Sequence, residues 1–203
     1  MNKFILGQKD RMTQIFDEEG KVVPTTVINI AENVVTQTKT EQNDGYNSVQ
    51  LATGEKKEKN LTKAQKGHLG KAFRFVKEFR LKEEPELKKG DVVTLEGFEV
   101  GDKITISSVS KGKGFQGGVK RYNFSGGRRS HGNKHAEREV GSIGAGTTPG
   151  RVWKGKKMPG RMGSDRITVK NLKIVKIDNE NNRIFVKGAV AGKAGDLVEI
   201  VKN

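Results

Sequence analysis

Between Lys111 and Lys170 the chain sets 15 basic residues against three acids, Glu137, Glu139 and Asp165, a net charge of +12 in 60 residues. Lysine and arginine at this density neutralise phosphates along a polyanion and release its condensed counterions, which makes binding strong and salt-dependent. Apart from Lys170 at its end, the groups available are Lys111, Lys113, Lys120, Arg121, Arg128, Arg129, Lys134, Arg138, Arg151, Lys154, Lys156, Lys157, Arg161 and Arg166. His131, His135 and Trp153 lie among them and are the residue types that meet RNA bases and sugars.

Other chemistries are suggested by pattern, and each lacks a part. Gly112-Lys113-Gly114-Phe115-Gln116-Gly117 has the GxGxxG form that seats a dinucleotide pyrophosphate at a helix N-terminus, but Gly118 and then Tyr122 to Gly127 oppose that helix. Gly150 to Lys157 approaches the phosphate-binding loop, yet Lys157 stands where a magnesium-binding hydroxyl belongs. His131 and His135 are four apart near Glu137 and Glu139; zinc ligation at that spacing relies on a helix, which Gly132 disfavours, so no metal is expected. Trp153, between Arg151 and Lys154, serves equally well as a stacking surface or as an apolar anchor with Val152, Met158 or Phe115. No nucleophile, base and acid are arranged for catalysis, so no catalytic residue, cofactor or small-molecule substrate is expected. Glycines that admit close backbone approach, amides that form anion nests and lysines remain a phosphate-binding combination, with the phosphates belonging to a nucleic acid.

The elements that would carry this run lie on either side of it. The 203 residues carry +15 in all, and the 143 outside the basic run contribute only +3. The same run holds 14 of the 26 glycines and shows no apolar period, so it cannot bury a core of its own. The flanks read as short strands with β-branched residues and Gly, Asp or Asn turns: Lys3 to Leu6, Thr13 to Phe16, Val22 to Ile30, Val34 to Thr40, Tyr46 to Leu51, Val92 to Leu95, Lys103 to Ser108, Thr168 to Ile177, Ile184 to Val190 and Leu197 to Val201. Glu55 to Pro85 reads as an insert, with a capping box at Thr62 and Gln65 opening a short helix and Phe73, Phe75 and Phe79 alternating along a strand that covers a satellite core. A Gly-Asp pair precedes a strand at Gly90-Asp91, Gly101-Asp102 and Gly195-Asp196, the form of a repeated turn. Many short strands and few helices make the chain mainly β, a barrel or a sandwich. The absence of cysteine and of any apolar run near 18 residues leads to the expectation of a cytoplasmic protein without a membrane partner.

Several ordered blocks carry a family resemblance. Ser110-Lys111-Gly112-Lys113-Gly114-Phe115-Gln116-Gly117 with Lys120-Arg121, His131-Gly132, Gly141-Ser142-Ile143-Gly144, Thr148-Pro149-Gly150-Arg151-Val152 and Lys154-Gly155-Lys156-Lys157-Met158 resembles the bacterial-type large-subunit ribosomal protein L-three family. Ile5 to Lys9, Met12 to Phe16, Asn43 to Tyr46, Arg166 to Val169 and Val186 to Val190 fit it as well, so the likeness runs nearly the whole length. It implies a small antiparallel β-barrel of the translation-factor type, with barrel strands in residues 1–54, 91–110 and 167–203, an inserted subdomain in 55–90 and a basic glycine-rich extension in 111–166. It further implies a role in early assembly of the large subunit, an arm directed toward the peptidyl-transferase region, and large-subunit ribosomal RNA and neighbouring ribosomal proteins as partners. Asp10-Arg11, Thr105 and Val109 depart from the family pattern, and Thr147 occupies the position of a glutamine that some relatives methylate, so that modification does not carry over.

The alternatives are a free-standing RNA chaperone and a nucleotide-dependent enzyme using the Gly112 or Gly150 loop. If the basic run doubles back as a hairpin, each limb of roughly 25 residues reaches at most about 80 Å. Ordering so glycine-rich a segment opposes conformational entropy, so the extension is expected to be mobile when free and ordered when bound.

Overall fold

A computed structural model describes residues 4–203; Lys3, which opens the first expected strand, lies outside them. The chain divides into two units, a β unit of residues up to Val109 together with Arg166–Asn203, and an arm, Ser110–Asp165. In chain order the β unit begins with strands β1 (Phe4–Phe16), β2 (Val22–Asn29) and β3 (Asn33–Lys39), helix α1 (Glu41–Asp44), strand β4 (Ser48–Glu55), helix α2 (Lys63–Leu69), and strands β5 (Phe73–Arg80), β6 (Val92–Val93) and β7 (Lys103–Val109). The arm holds β8 (Phe115–Gln116), α3 (Gly118–Tyr122) and β9 (Gly160–Arg161), and the β unit resumes with β10 (Arg166–Asp178), β11 (Arg183–Lys187) and β12 (Leu197–Lys202). The mainly β expectation holds.

Six antiparallel strands close on themselves in the order β1-β12-β7-β10-β11-β2, with β2 returning to β1. Alternation decides what lies inside. Side chains two apart share a strand face, and Ile104 with Ile106, Ile184 with Val186, and Val198 with Ile200 pack with Ile5, Ile28 and Ile174 in one buried cluster. Leu95, Phe98 and Val190 extend this cluster from the connecting loops. Gly7 belongs here by its absence of a side chain: a Cβ there would sit 2.6 Å from both Ile28 and Ile30. The two short runs expected at Lys3 to Leu6 and Thr13 to Phe16 are one strand, because a register shift between Lys9 and Met12 bends β1 without ending it. Asp10-Arg11, the departure from the family pattern, occupies that shift.

A second sheet has the order β5-β4-β3-β6. Here β4 pairs with the insert strand β5 on one side and with β3 on the other, and β3 pairs in turn with β6; none of the four joins the closed sheet. The cause is the run Phe4-Ile5-Leu6. Ile5 enters the cluster inside the closed sheet, while Phe4 and Leu6 join Val35, Val49, Leu51 and Phe79 in a second buried cluster, so β1 is covered on both faces. Phe79 stacks on Phe4 at a centroid distance of 4.7 Å, the covering role expected of the insert phenylalanines. Asn33 joins the two sheets through its buried amide. Leu6 N–H donates to Asn33 Oδ1 at 3.0 Å, and Asn33 Nδ2 donates to the carbonyls of Leu6 at 3.0 Å and Ala31 at 2.8 Å. The capping box also forms: Gln65 N–H donates to Thr62 Oγ1 at 3.3 Å, and α2 ends at Gly70.

The three Gly-Asp pairs build the same turn. Lys88, Glu99 and Lys193 each donate their N–H to the side chain of the aspartate three residues on, at 2.7, 2.9 and 2.9 Å. The aspartate N–H donates back to the carbonyl of the first residue at 3.1 to 3.2 Å. Gly90, Gly101 and Gly195 take φ of +100°, +96° and +83°, values that a type II turn needs at its third position and that L side chains resist. Each turn then locks onto a neighbouring strand in both directions: the glycine N–H donates to the carbonyl of Val35, Ile174 or Lys9, and the amide of that residue donates to the aspartate carbonyl. A register shift follows directly after each of these three strand residues.

Candidate nucleic-acid interface

The arm leaves the β unit after Val109 and returns at Arg166, and these two residues are paired across β7 and β10. Its two ends pair with each other. Ser110 N–H donates to Asp165 O at 2.9 Å, Lys113 N–H to Met162 O at 2.9 Å and Met162 N–H to Gly114 O at 3.0 Å, leading into the pairing of Phe115 with Arg161. Gly163 permits this closure, because φ is +75° and a Cβ there would collide with the Lys111 carbonyl. The GxGxxG stretch does continue into a helix, contrary to expectation, but α3 has only five residues and stops at Asn123, which takes φ of 60°. It is too short for the Rossmann helix that the dinucleotide pattern requires. Residues 125–157 contain no strand or helix and are knit by bonds such as Gly127 N–H to Glu137 O at 2.9 Å and Asn133 Nδ2 to Arg128 O at 2.5 Å.

Every buried apolar side chain of the core lies in the β unit; the arm's one buried residue is Gly118. This follows from sequence, since an aperiodic glycine-rich segment has no apolar face to bury. The consequence for the candidate site is direct. Lys111, Lys113, Lys120, Arg128, Arg129, His131, Lys134, His135, Arg138, Arg151, Trp153, Lys154, Lys156, Lys157, Arg161 and Arg166 are all exposed, and only Arg121 is half-buried. Arg121 donates from Nη1 to Met158 O at 2.8 Å, bridging the two limbs, and Gly160 leaves the space it occupies, since a Cβ there would stand 2.6 Å from that nitrogen.

The arm has 13 basic residues and three acidic ones, and among the described residues only Arg129 has a carboxylate partner, Glu137 Oε1 at 2.7 Å. The other twelve cations have no ion pair among the described residues. Arg166 stands apart from the rest of the set: it belongs to β10 and pairs with Glu199, which also takes Lys77 at 3.1 Å. Trp153 is 60% exposed with the Arg151 guanidinium 4.9 Å from its ring centre, so the anchor reading fails and an open aromatic face remains. His131 and His135 lie in turns, not on a helix, and no cluster of metal-ligating side chains occurs among the described residues. Two aromatic groups were not singled out from sequence. Tyr122 has Arg121 at 5.1 Å and Lys157 at 5.8 Å from its ring centre, and Phe115 is 75% exposed; for Tyr122 the preceding Lys120-Arg121 was the available signal. Around Gly141–Val152 the backbone itself bounds an open hollow of about 570 Å³.

Unpaired cations, open ring faces and accessible backbone amides, without a core and without a catalytic constellation, define a class: a module that places positive charge and stacking surfaces along a polyanion. The family comparison gives this class a particular member. The model of ribosomal protein L3 matches residues 46–194, and the chain belongs to that family. It is 51% identical over 195 residues to the large ribosomal subunit protein uL3 of Alcanivorax borkumensis, covering 94% of this chain and 92% of that one. The proteins of the same name from Herpetosiphon aurantiacus and Finegoldia magna are 49% and 46% identical, over 97% and 98% of this chain and 94% and 96% of theirs.

Proposed function

We propose that the protein is a structural constituent of the large ribosomal subunit, not an enzyme, and that its arm is the part that enters large-subunit ribosomal RNA. The observation that carries the reading is the arm itself, 13 cations of which twelve have no carboxylate partner among the described residues, on a segment with no core. Phosphate contacts fix position, while stacking and base-edge contacts select the site. Lys111, Lys113, Lys120, Arg121, Arg128, Arg129, Lys134, Arg138, Arg151, Lys154, Lys156, Lys157, Arg161 and Arg166 take phosphates in this reading, and His131, His135 and Trp153 meet bases or sugars. Arg121 does so while bridging the limbs, and Arg166 after release from Glu199.

The family assignment supports the finer parts. The closed six-stranded sheet corresponds to the translation-factor-type barrel, the second sheet with α2 to the inserted subdomain, and 111–166 to the extension that runs toward the peptidyl-transferase region. Early assembly follows from the same design: ordering the arm by RNA ties folding of the protein to folding of its site. Neighbouring large-subunit proteins complete the set of partners.

The deciding measurement is affinity for folded large-subunit RNA fragments against random RNA of equal length, across a salt series. A strong preference with a steep salt slope is expected. Equal affinity for both would assign the protein to the RNA chaperones, and nucleotide binding abolished by Lys156→Ala with RNA binding intact would assign it to the nucleotide-dependent enzymes. Amide exchange should show the arm protected only with RNA present.

A further inference from the structure

The β unit carries a surface opposite in character to the arm. Past the end of β5, the irregular segment from Leu81 to Gly90 borders an apolar hollow of about 560 Å³. Phe4, Val49, Leu81, Leu87, Val93 and Phe98 form its floor. Val49 is fully buried there, while Leu81, Leu87 and Val93 remain half-exposed, so apolar area is left for an occupant to cover. Glu83, Glu84 and Glu86 stand at the rim with Lys82 as the only cation of the lining; Lys88 and Lys89 lie beyond it. The three glutamates are exposed, and none has an ion-pair or hydrogen-bond partner among the described residues.

A volume of this size falls in the range of pockets that enclose a ligand, roughly 300–1,000 Å³. The charge at the mouth selects what enters. RNA would bring phosphates against three exposed carboxylates, whereas a lysine- or arginine-rich chain meets its complement. The apolar floor then rewards a large aliphatic or aromatic side chain, the anchor-in-pocket form of protein recognition. We infer that this hollow is a docking site for a basic protein segment that inserts an apolar side chain between Phe4, Leu87 and Phe98. The inference goes beyond the RNA-binding reading and stands without it, since the two surfaces have opposite charge and share no residue.

The test uses the full chain and fluorescently labelled 12-residue peptides in which a single central Leu or Phe is flanked by lysines. Two control sets carry Ala at the centre, or Glu in place of every Lys. The Leu and Phe peptides should bind at least ten-fold tighter than either control. The triple variant Glu83→Gln, Glu84→Gln and Glu86→Gln should weaken them at least ten-fold and make the residual binding insensitive to salt. Thr94→Trp, a substitution at an exposed lining position, should block them by occupying the hollow while leaving affinity for large-subunit RNA unchanged. The inference is overturned if no lysine-flanked peptide binds, if Leu and Ala peptides bind alike, or if both variants bind as the parent does. A fall in RNA affinity with Thr94→Trp would also overturn it, and would assign the surface to RNA.

Discussion

The β unit and the arm solve opposite problems with the same chain. In the β unit, 26 basic and 21 acidic residues nearly balance, and fixed alternation sends isoleucines and valines inward from every strand of the closed sheet. Among its buried polar side chains, the Asn33 amide is hydrogen-bonded at both its oxygen and its nitrogen. In the arm, 13 cations face three acids, glycine takes the place of the apolar residues, and the fixed points are hydrogen bonds at the base. The difference shows where specificity of structure comes from. The β unit supplies its own folding energy by burying apolar area; the arm leaves its charge and much of its backbone exposed to solvent.

Substitutions should therefore separate into two kinds, and the largest effects should fall on stability through the β unit. Ile200→Ala, at a site with no solvent exposure inside the closed sheet, should cost about 3–4 kcal/mol in urea unfolding. Asn33→Ala leaves the buried N–H and C=O of Leu6 without partners and should cost about 2–3 kcal/mol. If it costs less than Ile200→Ala by a wide margin, the amide is a local bond and not the joint between sheets. Gly101→Ala, at φ of +96°, should cost about 1–2 kcal/mol. Parallel losses at Gly90 and Gly195 would show that the three turns are equivalent.

The arm should respond in the other currency. Arg128→Ala with Arg129→Ala should change stability by less than about 0.5 kcal/mol, yet lower the salt slope of RNA binding by about 2. An unchanged slope would remove these two arginines from the phosphate contacts. Least affected should be the pH profile at the Lys39, Tyr46 and Glu78 cluster of the second sheet. Lys39 donates to Tyr46 Oη at 2.6 Å and to Glu78 at 3.0 Å, and these bonds push its pKa up to about 12. Burial raises the Glu78 carboxyl, but the hydrogen bonds from Lys39 and Tyr46 outweigh it and hold its pKa below the usual glutamate value. The raised lysine contributes stability in full below its ordinary pKa of 10.5 and loses it as pH rises through about 12. The depressed glutamate contributes above its ordinary value of 4.5 and loses it as pH falls below. This cluster should thus leave unfolding midpoints flat from pH 6 to 9, and Glu78→Gln should remove the acid limb and weaken the alkaline one, since Glu78 is one of the two partners that raise Lys39.

Strands were readable because alternation is a local signal, and ten of the twelve lie near expected runs; β8 and β9, of two residues each, carry no period to read. The sheet to which a strand belongs was not readable. Val34 to Thr40 and Tyr46 to Leu51 have one apolar face each, and nothing local says whether it turns toward Ile5 or toward Phe4 and Leu6. The run Phe4-Ile5-Leu6 held the clue, since three consecutive apolar residues in a strand require cover on both sides. In the arm, residue types announced the chemistry, but the exposure of Trp153 and the bridge from Arg121 to Met158 depend on where two distant limbs meet. Composition cannot report that.

The pairing of Val109 with Arg166 has a further consequence. To the closed sheet, the whole 56-residue arm is a hairpin loop between β7 and β10. Closing a loop costs chain entropy that grows only with the logarithm of its length, about 0.6 kcal/mol per doubling. Lengthening a connection from about four residues to 56 therefore costs the β unit about 2 kcal/mol, less than one buried isoleucine contributes. The fold can carry an arm of almost any reach at nearly constant stability, which leaves arm length free to vary independently of the folding of the β unit.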